Sequence, residues 1–208
     1  MMIKVVFQAV LAGLLLLSAS AYAGAFNELD AFLKHTHSMQ SHFQQKLLDA
    51  DGMLLQKSAG EFYLKKPGKF VWDYVLPYPQ KIISNGTKIW LYDSELEQVT
   101  IKPYSQVLSG APVILLGKNG SLVKQFDSEE MPSKDGIDWV KLTPRSQEKE
   151  FNEIQAGLKN GKLILMRLKD AFSQTTILEF EDPQYNVKLD DKRFEFKPPA
   201  GADVVGDF

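Results

Sequence analysis

From residue 43 to residue 197 the chain is mostly a succession of short segments in which apolar and polar residues alternate, each closed by a turn signal. Phe43, Gln45 and Leu47 share a face, and Asp51-Gly52 follows as a turn. In 59–66, Phe62 and Leu64 lie on one side, Glu61, Tyr63 and Lys65 on the other, and Pro67-Gly68 ends the run. Phe70, Trp72 and Tyr74 alternate with Val71 and Asp73 until Pro77 and Pro79. Ile82-Ile83 and the apolar run 89–92 flank Asn85-Gly86, a pair suited to both positive-φ positions of a type I′ hairpin turn. Leu96 to Ile101 gives another short strand. Residues 139–142, 150–158, 163–168 and 175–180 repeat the pattern around a second hairpin signal, Asn160-Gly161, and 193–197 alternates before Pro198-Pro199. About ten to eleven such strands joined by tight turns predict an antiparallel meander curled into an incompletely closed β-barrel. There is no βαβ alternation, which argues against a doubly wound fold.

Two stretches depart from that period. Phe26, Leu29, Phe32 and Leu33 recur at helical spacing, with Asn27 as a candidate N-cap. Residues 106–126 place Pro112 at a helix N1 position and Gly117 and Gly120 as stops, which predicts one or two short helices. A curled sheet has a concave face that must be filled, and these helices are the available plug. The fold expected is therefore mainly β, with an α-helical lid over a hydrophobic cavity. A movable cover on a dry pocket is also the plan of a ligand site.

Residues 1–23 read as a signal peptide: Lys4 near the start, an apolar run from 9 to 17, and Ala21-Tyr22-Ala23 as an A-x-A cleavage site. The run is too short to span a bilayer. Residues 24–208 are expected to form a single exported domain in the periplasm. The chain has no Cys, so it has neither disulfides nor a cysteine to acylate. A formal net charge of -2 argues against a phosphate-binding basic face, and so against nucleic acid as a partner.

Motifs for chemistry are few. There is no nucleophile elbow, zinc-protease motif, P-loop or dinucleotide fingerprint, and no cofactor is expected. His35 and His37 do not share a helix face, and His42 stands apart. Glu129-Glu130 and Asp190-Asp191 read as solvated carboxylates in turn-like stretches rather than an acid–base pair. The positive signal is aromatic: Phe70, Trp72 and Tyr74 on one strand face, Trp90 and Tyr92 on another. These residues are either ordinary core or the wall of an apolar pocket, and periodicity does not separate the two. Lys66 shares parity with Phe62 and Leu64; an inward ammonium there needs a partner such as helix C-terminal carbonyls.

Three blocks resemble the LolA family of outer-membrane lipoprotein carriers. A-G-E-F-Y-L-K-K-P-G-K-F-V-W-D-Y (59–74) is similar to that family's G-x-F/L-x-x-K-R-P-x-x-F-x-W. I-S-N-G-T-K-I-W-L-Y-D-S-E-L-E-Q-V-T (83–100) is similar to V-S-D-G-K-x-L-W-x-Y-x-P-x-x-x-Q-V/A-T, and F-E-F-K-P-P-A-G (194–201) to F-x-F-x-P-P-x-G. The resemblance implies a monomeric, non-enzymatic periplasmic chaperone. It would receive acylated lipoproteins from an inner-membrane ABC transporter and deliver them to an outer-membrane lipoprotein receptor. It implies an acyl-binding cavity, assigned here to Phe62, Leu64, Trp72, Tyr74, Trp90, Tyr92, Ile114, Leu115 and Met166. It places Lys66 where the family carries a lid-latching arginine, and Phe70 at a position linked to the transporter. The alternative is a periplasmic sensor of acyl groups or mislocalised lipoproteins. A hydrolase is disfavoured for want of a nucleophile or metal cluster.

Overall fold

Alternation dominates the architecture as expected. The computed structural model describes residues 24–104, 122–146 and 151–206. Helix α1 (Ala25–His35) leads into β1 (Ser38–Leu48), β2 (Leu54–Lys65), β3 (Lys69–Leu76), β4 (Gln80–Asn85), β5 (Lys88–Asp93) and β6 (Gln98–Pro103). The short helix α2 (Leu122–Gln125) then precedes β7 (Phe126–Lys134), β8 (Ile137–Pro144), β9 (Phe151–Lys159), β10 (Lys162–Asp170) and β11 (Thr175–Tyr185), and β12 (Asp203–Gly206) comes last. All twelve form one sheet in the order β12-β6-β5-β4-β3-β2-β1-β11-β10-β9-β8-β7. Its two ends, β12 and β7, do not pair, so the barrel is open. Every pairing is antiparallel except β12 with β6, which is parallel.

Two elements differ from expectation. The β pattern resumes at Phe126, not Trp139: β7 carries Glu129, Glu130, Pro132 and Lys134 along the sheet edge. Its polar composition hid it, and that composition is how an edge strand avoids pairing with a second molecule. Conversely, 193–197 is not a strand. Asp190 caps a 3₁₀ turn (Asp191–Phe194), its side chain accepting from Lys192 N at 3.0 Å, and the chain then runs irregularly to β12. Alternation there reflects a tail laid over the sheet.

The turns show what glycine supplies. Asn160 (φ 53°) and Gly161 (φ 69°) both take positive φ between β9 and β10, as do Asp135 (φ 55°) and Gly136 (φ 72°) between β7 and β8. At Asn85-Gly86 only Gly86 does so (φ 90°), which corrects the expected type I′ turn. Asn85 ends β4 instead, its side-chain oxygen accepting from Thr87 N and Lys88 N, both at 2.9 Å.

The sheet has two cores. Helix α1 buries Leu29 and Phe32 and packs on β7–β10 across the concave face. On the convex face the tail after β11 lays Leu189 and Phe194 against Val71 and Ile83.

Candidate functional site

Register decides which aromatics meet. Phe62 on β2 pairs with Trp72 on β3, Trp72 with Ile82 on β4, and Ile82 with Leu91 on β5, so this row shares the concave face. Leu64 pairs with Phe70 in the next row. Phe43, Gly60, Tyr74 and Gln80 form the row beyond, and Ser58, Gln45, Leu178, Met166 and Ala156 another. The structure thus brings together Phe62, Leu64, Trp72, Tyr74 and Met166, expected in the cavity, in one cluster with α1. Rings are closely spaced: Phe62–Trp72 centroids lie 4.5 Å apart, Phe43–Trp72 5.2 Å and Phe43–Tyr74 5.1 Å. Gly60 must be glycine in this row, because a Cβ there would stand 1.9 Å from the Asp73 carbonyl oxygen.

Two expectations are corrected. Trp90 and Tyr92 are not on this wall. Trp90 pairs with Ile83, and Ile83 with Val71, which places them on the convex face. There the Phe196 ring lies 6.4 Å from Trp90 and 5.5 Å from Tyr92. Phe70, expected as a transporter contact, is 2% exposed within the concave cluster. It belongs to the wall. Ile114 and Leu115 lie outside the described residues.

Several wall residues were not singled out from the sequence. Phe43 contacts both Trp72 and Tyr74, and its alternation on β1 was its only signal. Phe180, 5.7 Å from Phe62, and Leu178 come from β11, paired with β1 across a long stretch of sequence. Among the described residues the fully buried positions carry no charged side chain; the buried polar groups are Thr36, Ser38, Ser41, Ser58 and Ser84.

Polar groups ring this apolar wall. Lys66 Nζ donates to the carbonyl of Leu33 in the last turn of α1, and Lys66 N donates to His37 O at 2.8 Å. Burial lowers the Lys66 ammonium's pKa from its ordinary value. At the other end of α1, Glu130 accepts from Ala25 N at 2.8 Å and Phe26 N at 3.0 Å. Two free N–H groups at a helix start favour a carboxylate. Glu130, read from sequence as merely solvated, therefore anchors the helix, and the expected cap Asn27 lies inside it. Asn186 holds the exit of α1, donating to His35 O at 3.0 Å and accepting from His37 N at 2.8 Å. Toward the open end of the wall, Tyr74 Oη donates to Gln45 Oε1 at 3.1 Å, and burial pushes the Tyr74 phenol up to about 12. Among the described residues no three potential ligands are grouped to hold a metal ion. No described helix is long and apolar enough to cross a membrane.

An open half-barrel with a covered aromatic concavity is the architecture of proteins that shelter apolar ligands. The chain belongs to the LolA family, outer membrane lipoprotein carrier proteins, whose family model matches residues 34–197. It is 42% identical over 181 residues to the outer-membrane lipoprotein carrier protein of Methylococcus capsulatus, covering 87% of each chain. It is 38% identical over 192 residues to that of Dechloromonas aromatica, covering 92% of each. In fold it is similar to a LolA superfamily protein from Nitrosomonas europaea, at TM-score 0.51 and 14% identity, over 83% of this chain and 96% of that one.

Proposed function

We propose that the protein is a soluble, monomeric periplasmic chaperone that shields the acyl chains of lipoproteins against its concave wall. It takes them from an inner-membrane ABC transporter and passes them to an outer-membrane receptor, without catalysing a reaction. The observation that carries this reading is the wall itself. Phe43, Phe62, Phe70, Trp72 and Met166 belong to one apolar cluster on one sheet face, to which α1 adds Leu29 and Phe32. Apolar contacts are non-directional, so such a wall tolerates varied chains.

Magnitudes explain why a carrier of this kind needs partners. Burying an acyl chain is worth about 0.8 kcal/mol per CH₂, so three chains of about fourteen methylenes exposed to water cost on the order of 30 kcal/mol. A wall that covers part of that surface holds cargo less tightly than a bilayer. Loading then requires work from an ATP-driven partner, and unloading runs downhill to a more apolar acceptor. Lys66 acts as the latch in this scheme. Its ammonium on the Leu33 carbonyl ties the last turn of α1 to the end of β2. The stretch 111–126, expected to supply the lid, lies outside the described residues up to 121.

The experiment is purification of the full chain from the periplasm followed by mass spectrometry, with release of lipoproteins from spheroplasts assayed alongside. Acylated N-terminal peptides should co-purify, and the protein should release lipoprotein into solution. Absence of both overturns the proposal. Release without transfer to an outer-membrane acceptor supports a sensor instead.

A further inference from the structure

The open end of the concave wall changes character. Beyond Phe43 and Tyr74 neutral hydrogen-bonding groups join the face, with the exposed Tyr78 ring and Leu96 at the rim. A cavity of about 510 Å³ opens there, bounded by Gln45, Gln56, Ser58, Tyr74 and Gln80. The volume lies within the roughly 300–1,000 Å³ of small-molecule pockets. Register makes these residues neighbours: Gln45 pairs with Ser58, Leu47 with Gln56, and Tyr74 with Gln80.

The cavity offers donors beside the acceptor oxygens of Gln56 and Gln80. Gln45 Oε1 accepts the Tyr74 hydroxyl proton, which leaves the two Gln45 amide N–H donors for an occupant. Gln56 Nε2 donates to Ser58 Oγ at 3.0 Å, which leaves the Ser58 hydroxyl proton to give. In the wall just inside, the Trp72 indole Nε1 is buried without a hydrogen-bond partner. No Lys or Arg borders the cavity, and its acidic neighbours are Asp93 and Glu95. The Asp93 carboxylate is engaged by its own turn, accepting from Glu95 N and Leu96 N, both at 3.0 Å.

We propose that this collar is a subsite for the uncharged ester and amide carbonyls that join acyl chains to a glyceryl-cysteine head, and that it disfavours the phosphate of a phospholipid. The inference rests on the acyl-carrier reading above and adds to it. The rings take the hydrocarbon, the amide and hydroxyl donors take the carbonyls at its root, and a phosphodiester finds carboxylates where it needs cations. A carrier working between two phospholipid membranes gains from that distinction.

The test uses the purified full chain and three probes with the same two palmitoyl-length chains. These are a diacylglyceryl-cysteine lipopeptide, its ether-linked counterpart without the carbonyls, and the corresponding phosphatidylglycerol. Affinities come from displacement of a fluorescent fatty acid. The ester lipopeptide should bind about tenfold tighter than the ether form, as expected for one or two net hydrogen bonds, and tighter than the phospholipid. Gln45→Glu keeps an acceptor for Tyr74 but removes the two N–H donors, and should bring the ester-to-ether ratio within about twofold. Gln80→Leu, a half-buried position, provides a second reading of the ratio should the first variant fold poorly. An ester-to-ether ratio already near one in the native protein, an unchanged ratio in a folded variant, or tighter phospholipid binding overturns the subsite while leaving the carrier reading intact. Failure of the native protein to bind any of the three probes overturns both.

Discussion

The same strands build two aromatic cores, one on each face of the sheet, and the cores are closed in different ways. On the convex face the chain's own tail seals Val71, Ile83 and Trp90 under Leu189, Phe194 and Phe196. That tail is fastened at several points. Lys65 and Lys69 both reach Asp191, at 3.0 Å and 2.7 Å, Lys65 Nζ also donates to Leu189 O, and the Arg193 guanidinium sits 4.0 Å above the Tyr63 ring. Strand β12 then adds the tail to the sheet itself. On the concave face a helix packs on β7–β10, held at its ends by Glu130, Lys66 and Asn186 through side-chain bonds to backbone groups. Releasing the tail means breaking its ion pairs and, at β12, ladder hydrogen bonds. Releasing the helix breaks only side-chain ties, because a helix keeps its own backbone bonds.

Adjacent residues on opposite faces provide the sharpest way to break this contrast. Val71 (6% exposed) and Trp72 (2% exposed) are both buried. A carboxylate buried without a partner costs several kcal/mol, a large share of a typical stability of about 5–15 kcal/mol. Under the fastened tail, Val71→Glu should leave the chain unfolded or aggregated. Trp72→Glu should stay folded, with acyl-probe binding lost, because water reaches the charge once the concave face opens. Circular dichroism and probe displacement measure both. Equal unfolding of the two variants would mean the concave core is as permanent as the convex one.

Alkaline titration probes the concave side next. The unfolded phenol ionises near 10.0, whereas burial keeps Tyr74 protonated to about 12. The unfolded state therefore releases its proton first. The contribution is fully present below pH 10 and is lost as pH rises from 10 toward 12, up to about 2–3 kcal/mol. Urea midpoints across that range should fall less steeply in Tyr74→Phe than in the native chain. Identical slopes would show that Tyr74 is hydrated in the resting state.

The latch is the next smaller effect. Lys66→Leu removes a charged donor to a helix-end carbonyl, a bond of about 1.5–3 kcal/mol offset by the release of a buried charge. Amide exchange across α1 should quicken about tenfold while exchange in β12 is unchanged. Lys66→Arg should restore slow exchange through its forked donors. Equal exchange in all three proteins would make Lys66 a strand end and nothing more. The smallest effect belongs to its neighbour. Lys65→Leu loses part of a solvated ion pair, worth less than about 1 kcal/mol, and should leave α1 exchange untouched.

Legibility in the sequence followed the range of the interactions. Strands with strict alternation, such as 59–66 and 70–74, were readable because one face of each is buried. Strand β7 was not, because its residues 127–130 are all exposed and so carry no apolar period. The wall was partly readable: Phe62, Leu64, Trp72 and Tyr74 sit on adjacent strands of one hairpin. Trp90 and Tyr92 failed for a definite reason. Alternation states which residues of a strand share a face, but the facing of β5 relative to β3 is set by the registers of two hairpins. Trp72 pairs with Ile82, while Trp90 pairs with Ile83, one residue on and therefore on the other side. Phe70 carried the right parity, but its place inside the wall depended on what covered it.

Residue type and local spacing thus determined the β character, the turn positions, the helix at 25–35, the absence of a thiol and the two aromatic sets, because each depends on neighbours a few residues apart. Tertiary structure alone decided which set meets α1 and which meets the tail. It also decided that Glu130 reaches back to Ala25 and that Lys66 reaches Leu33, since these contacts join residues 105 and 33 positions apart. Such pairings arise from strand register and from the curl of the sheet, which bring distant segments within a few ångströms and leave no periodic trace in the chain.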